Sequence, residues 1–151
     1  MNILNAEDTL NGAEGTATAV IDGRVVDLFE VKNVNAKVSL DKADIKTLGN
    51  RGVQKKVKGW TGEGTLNMYL TTSRWTKMVI NYIKTGKIQK FDMNLTNDDP
   101  QSSIGRQIIK VSGCLIDGAD IAKLDVDSDA LEQEVNFTFE NADILEEFKE
   151  I

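Results

Sequence analysis

Thr47-Leu48-Gly49-Asn50-Arg51-Gly52-Val53-Gln54-Lys55-Lys56-Val57-Lys58-Gly59-Trp60-Thr61-Gly62-Glu63-Gly64 is the stretch on which the reading of the fold turns. It separates two runs with the period of a β-strand. Val34, Ala36, Val38 and Leu40 alternate with polar residues on one side, and Leu66, Met68 and Leu70 do so on the other. Connections in compact domains usually run to about 2–6 residues, and longer ones without structure of their own are functional or disordered. This one is basic, punctuated by glycine and ends beside Trp60. It reads as an arm over about 47–64 that protrudes from the body and docks on a second copy of the chain.

At 151 residues, 40% of them hydrophobic and 28% charged, the chain reads as a single domain, 1–151, able to bury one core. No apolar run approaches the roughly 18 residues of a membrane span. The first residues lack the basic and apolar regions of a secretory signal. Histidine is absent, which removes the commonest general base and a common metal ligand. Cys114 has no partner for an internal disulfide, and a reducing cytosolic origin is the simplest reading. Residues 1–116 carry 16 Lys and Arg against 12 acids, a net +4, whereas residues 117–151 carry 2 against 12, a net −10. A chain with a basic arm and an acidic end can attract its own copies head to tail.

Taken in order, residues 1–15 read as an extended N-terminal arm. Residues 16–21 form a strand, Asp22-Gly23 a type I′ turn, and residues 24–31 the returning strand. A bend at Asn33 or Asn35 leads into the strand before the arm. After residues 65–70 the period changes: Trp75, Met78, Val79, Tyr82 and Ile83 make one stripe of a helix over about 73–85, capped by Thr72 or Ser73 and ended by Gly86. All five read as core. Strands follow at 88–95, 106–116, 119–126 and 132–139, with Gly113 marking a bulge or bend. Residues 96–103 read as a solvated loop that includes Asp98 and Asp99. Asp117-Gly118 reads as a second turn, and residues 143–151 as a last helical turn or a pairing segment. The sum is mainly β: a small barrel or sandwich of two packed antiparallel sheets with one flanking helix. With a single proline, its long edges are poorly defended and open to use by a neighbouring copy.

No catalytic constellation emerges. Cys114 lies within an apolar strand and reads as an inert buried thiol. The carboxylate pairs Asp41/Asp44 and Asp125/Asp127 read as water-facing. Gly59 to Gly64 lacks the Gly-Lys-Ser/Thr ending of a phosphate loop. Lys46, Arg51, Lys55, Lys56 and Lys58 beside Trp60 leave open a second reading, a β-barrel binding module for nucleic acid or a small ligand. The net charge of −6 weighs against tight binding to phosphates.

A hairpin, a strand, the stretch 48–65, a further strand, the helix beginning Ser73-Arg74-Trp75 and the late strand Val135-Asn136-Phe137-Thr138-Phe139 come in an order that resembles the tail tube proteins of contractile phages and of defective, PBSX-like prophage particles. The likeness spans nearly the whole chain. It is most specific where the Gly/Arg/Lys arm runs into Gly59-Trp60 and residues 62–65. It implies a two-sheet β-barrel with one helix, a fold shared with secretion-system tube proteins. It also implies no enzymatic activity and no cofactor or metal. Hexameric rings would stack into the inner tube of a contractile phage tail or phage-like bacteriocin particle and form a conduit for DNA or ions. The resemblance assigns Leu48, Gly49, Arg51, Gly52, Val53, Lys55, Lys56, Lys58 and Trp60 to subunit contacts. Its implied partners are the chain itself, the sheath protein, and the tape-measure and baseplate proteins. DNA would pass along an acidic lumen without tight binding, in a virion tail made in the bacterial host cytoplasm.

Overall fold

The first reversal of the chain is the Asp22-Gly23 turn, where both residues adopt positive φ (54° and 75°) as a type I′ turn demands. It joins β1 (Gly15–Ile21) to β2 (Arg24–Asp27) in the computed structural model, which describes residues 3–150. The strand expected to continue to Val31 stops at Asp27. Leu28 turns into the core, and the Val31 amide donates to the Leu28 carbonyl at 3.2 Å. The chain thereby crosses to a second layer.

That layer is built on the two longest strands, β3 (Val31–Ile45) and β4 (Gln54–Tyr69). The expected bend near Asn33 is a bulge: Lys32 is the extra residue between the pairs Val31/Met68 and Asn33/Asn67. Helix α1 (Arg74–Thr85) follows, then β5 (Phe91–Asp98), β6 (Arg106–Ile116), β7 (Glu132–Phe139) and β8 (Asn141–Glu146). Every pairing is antiparallel, in the order β2-β1-β5-β6-β7-β4-β3, with β8 on β6.

β6 belongs to both layers. It pairs with β8 up to Ser112 and with β5 up to Cys114, whereas Leu115 and Ile116 pair with β7. The change happens at Gly113, at φ 66°, a conformation that a side chain strains. The expected bend is there, and its amide donates to Asp92 at 3.1 Å. The path ends at β2 and β3, which do not pair, so the two packed sheets form an open sandwich and not a closed barrel.

Ala19, Met93 and Val111 from one layer meet Leu66, Met68, Val135 and Phe137 from the other in one core. The helix plugs it with Trp75, whose ring centroid lies 5.4 Å from that of Phe91. Only the first part of the expected stripe is used. Trp75 and Met78 are buried, whereas Tyr82 and Ile83 are exposed. Thr72, not Ser73, supplies the N-terminal cap bond, to the Arg74 amide. Glu30, almost wholly buried, is paired with Arg74 at 3.0 Å and ties the layer crossing to the helix start.

Four expectations are corrected. Strand β5 begins at Phe91, not residue 88, and extends to Asp98. Asp99 is not solvated; it is buried and accepts amides of Asn11 at 2.8 Å and Gln101 at 3.0 Å. The segment read as an extended arm holds two 3-10 turns, Ala6–Asp8 and Gly12–Glu14, within its described residues. Asp8 there accepts from Ser103, and those hydrogen bonds hold its carboxyl below the usual range. Residues 119–126 form no strand, and Asp117-Gly118 does not form the turn expected before it. The C-terminal segment takes the pairing alternative, as β8 on β6. Residues 1 and 2 of the N-terminal reading and residue 151 of the C-terminal one lie outside the described residues.

At Gly64 an added Cβ would lie 2.3 Å from the Asn35 carbonyl oxygen and 2.4 Å from the Phe137 ring. The backbone atom cannot give way without parting β3 from β4. Gly64→Ala is expected to destabilise by about 3 kcal/mol, the upper end of ordinary overpacking. Thermal melting should show a fall of roughly 6–12 °C. Gly118→Ala, with nothing within 4 Å, should melt with the parent chain.

Candidate subunit-contact ribbon

β7 flanks β4 only from Gly62 to Tyr69. From Gln54 to Thr61 β4 pairs with β3 alone, so these strands leave the sandwich as a two-stranded ribbon. Eight residues at ~3.3 Å each carry it roughly 26 Å past the last β7 pair. The turn at its tip comprises residues 46–53, braced by the Gly52 amide on Asn50 Oδ1 at 2.9 Å. Of the arm expected over 47–64, residues 47–53 form the turn, residues 54–61 are paired strand and not loop, and residues 62–64 lie in the body against β7. Pairing satisfies the backbone whatever the side chains, so a polar sequence can extend a ladder that a polar-to-apolar pattern does not announce.

Strand register sorts the side chains. Directly opposed residues share a face, so Val38/Gly62, Leu40/Trp60, Lys42/Val57 and Asp44/Lys55 continue the core face outward. Lys37/Glu63, Ser39/Thr61, Asp41/Gly59, Ala43/Lys56 and Ile45/Gln54 take the other face. Lys58 is an extra residue between the pairs Asp41/Gly59 and Lys42/Val57, and that bulge keeps Val57 on the Trp60 side. Trp60 leans on Phe139 with centroids 6.1 Å apart. Beyond it the core face has nothing to pack on: Trp60 is 44% exposed, Val57 51% and Leu40 55%. An apolar strip thus runs out of the core along the ribbon, and Leu48 stands fully exposed at the tip. Lys55 is paired with Asp44, an exposed bridge worth less than about 1 kcal/mol.

Of the residues singled out from sequence, Leu48, Gly49, Arg51, Gly52 and Val53 lie in the turn, and Lys55, Lys56, Lys58 and Trp60 on β4. The structure divides them. Lys55 and Trp60 share the core-side face, and Lys56 points the opposite way. Lys56 therefore stands apart from Trp60, whereas Lys42 and Lys55 share its face. Sequence reading missed Val38 and Leu40 as contact candidates. Their alternation was evident, but the end of β7 that uncovers them is not a local property.

Reactive chemistry is absent from the ribbon. Among the described residues no three of His, Cys, Asp and Glu are grouped to hold a metal ion. A pocket of about 460 Å³ beside the helix is lined by residues such as Thr72, Ser73, Arg74, Lys77 and Gln89. Cys114 is fully buried, and burial pushes its thiol up to about 12.

A family model described as phage tail tube protein matches residues 2–146. The chain belongs to the phage tail tube protein family. It is 35% identical to the uncharacterized protein YqbM of Bacillus subtilis (strain 168) over 97% of both chains. To the phage-like element PBSX protein XkdM of the same organism it is 34% identical, again over 97% of both. The resemblance to PBSX-type prophage elements is thereby borne out. Solved structures share the fold. The cap of the anti-feeding prophage aligns with a TM-score of 0.70 at 12% identity, covering 95% of each chain. A chain of the sheath–tube complex of the extracellular contractile injection system PVC aligns at 0.67 and 16% identity, covering 92% of this chain and 93% of that one. A Bacillus subtilis protein of known structure aligns at 0.53 and 27% identity, covering 89% and 98%. This tail tube protein is a structural protein and not an enzyme. No helix among its described residues is long and apolar enough to cross a membrane.

A thiol raised to about 12 in the folded chain, against its ordinary 9.0, is protonated and shielded in this tail tube protein. A chromogenic disulfide reagent at pH 8 should leave Cys114 unmodified in the native state and titrate one thiol in guanidinium. Because the folded value is the higher one, this group's contribution to stability is complete below pH 9.0 and is lost as pH rises toward about 12.

Proposed function

We propose that this chain is the subunit of the inner tube of a contractile tail, forming hexameric rings that stack through the β3–β4 ribbon. The observation that carries this reading is the ribbon: two strands extended beyond the body, with Leu40, Val57 and Trp60 exposed along a continuation of the core face. Apolar surface of this kind marks an interaction site. Aromatic and aliphatic anchors there supply most of the binding energy, and the surrounding charges supply register and steering. Leu48, Gly49, Arg51, Gly52, Val53, Lys55, Lys56, Lys58 and Trp60 are the proposed contacts, joined by Val38 and Leu40.

The stacked rings enclose a conduit for DNA or ions. The face of β3, β4 and β7 turned away from the core supports this part of the reading. It presents Asn33, Asn35, Thr65, Asn67, Glu134 and Asn136, with Thr65 bonded to Asn136 and Asn67 to Asn33. A hydrated wall of amides and carboxylates lets phosphates slide without capture. Further partners are the contractile sheath outside and the tape-measure and baseplate proteins. The particle is a phage tail or phage-like bacteriocin assembled in the bacterial host cytoplasm.

Negative-stain microscopy of the concentrated protein should show rings or tubes. Replacing residues 46–53 by Asn-Gly joins Ile45 to Gln54 through a two-residue turn suited to their pairing. That variant should melt within about 2 °C of the parent, consistent with a change confined to the exposed surface, and should lose stacked tubes. A parent chain that sediments as a monomer at every concentration, or a variant that stacks normally, overturns the reading.

A further inference from the structure

Between Ile116 and Glu132 the chain has no regular structure, although residues 119–126 carry strand-like alternation. Leu124 and Val126 are 95% and 98% exposed, the barest apolar side chains of the body outside the ribbon tip. The segment is held to its own body by Thr76 Oγ1 on the Asp120 carbonyl at 2.9 Å and Lys123 Nζ on the Glu132 carbonyl at 2.6 Å. From Ile121 to Leu124, among the described residues, no main-chain amide or carbonyl bonds to another. A strand-prone segment with free backbone and bare apolar residues is half of a pairing.

The other half is on the ribbon. β4 from Gln54 to Thr61 has β3 on one side and no strand on the other. That free edge is eight residues long, as is the segment 120–127. In an added strand, Ala122, Leu124 and Val126 share one face and Lys123, Asp125 and Asp127 the other. The first face lies alongside Val57 and Trp60, extending the apolar strip. The second lies alongside Lys56, which makes no ion pair among the described residues. The charges match as well as the apolar faces: Asp120, Asp125, Asp127 and Asp129 crowd the segment, and Lys55, Lys56 and Lys58 crowd the edge.

We infer that residues 120–127 of one subunit add as a strand to the free edge of β4, Gln54–Thr61, in a second copy of this chain. The inference rests on the tube-subunit reading and names the surface that receives the ribbon. The segment orders at that moment, so its edge is not presented for aggregation while the chain is alone.

Because Cys114 is buried, introduced cysteines report contacts cleanly. One preparation carries Val57→Cys; the other carries a single cysteine at residue 122, 123, 124, 125 or 126. On mixing and mild oxidation under assembly conditions, the one of Ala122→Cys, Leu124→Cys and Val126→Cys that stands opposite Val57 in the added strand should give disulfide-linked dimers. Lys123→Cys and Asp125→Cys should give at least 5-fold less. In a second arm, Lys56→Glu/Lys58→Glu should reduce tube yield at least 10-fold, as should Asp125→Lys/Asp127→Lys alone. Mixing the two reversed preparations should restore it, with unchanged circular dichroism for each. If wild-type protein forms tubes but no cross-link forms at residues 122, 124 or 126, or the strongest falls at residue 123 or 125, the strand addition is wrong and the tube reading stands. If charge reversal at Asp125 and Asp127 leaves tube yield unchanged, it is equally overturned. If wild-type protein forms no rings or tubes, the tube reading itself fails.

Discussion

One strand serves two sheets, and the rest of the structure depends on it. β6 can pair with β5 and β8 along most of its length and with β7 at its end only because the backbone bends at Gly113. An added Cβ there would sit 2.7 Å from a Glu140 carboxylate oxygen, at a φ that side chains resist. Glu140 is the residue between β7 and β8, so the same point turns both the inner strand and its neighbour from one layer to the next. The core follows from that turn. Phe91 and Val111 on one layer are brought over Val135 and Phe137 on the other, and Trp75 fills the open side.

The bend also settles what remains uncovered. Because the chain leaves β7 after Phe139 to form β8 against β6, β4 loses its neighbour at Gly62 and runs on with β3 alone. The apolar strip of the ribbon is a consequence of that departure, since the alternation that fills the core does not stop where the core does. Likewise the chain after Ile116 stays irregular through residues 117–131. The isolated subunit carries the loose ends of its own pairing scheme. In the proposed tube those surfaces become interfaces between copies.

How much of this was legible differs from element to element. The turn at Asp22-Gly23, the strands 106–116 and 132–139 and the helix were readable because each is dictated by neighbours in sequence: positive φ at two adjacent residues, period two, period 3.6. Tyr82 and Ile83 continued the helical stripe and were misjudged as core. Asp99 was misjudged in the opposite sense, because its amide partner Asn11 lies 88 residues away. The length and charge of residues 47–64 mark the segment as unusual, but its strands are not legible, because Gln54 to Gly59 carries no apolar alternation.

Sequence alone determined the kinds of most elements, the family pattern, and the charge division between a basic first part and an acidic end. These are properties of composition and of residues near one another in the chain. Tertiary structure decided where the sheets stop, which face Trp60 and Lys56 occupy, and which segments with strand character find no partner. Those outcomes depend on which backbone edges meet, a matter of geometry between segments far apart in sequence.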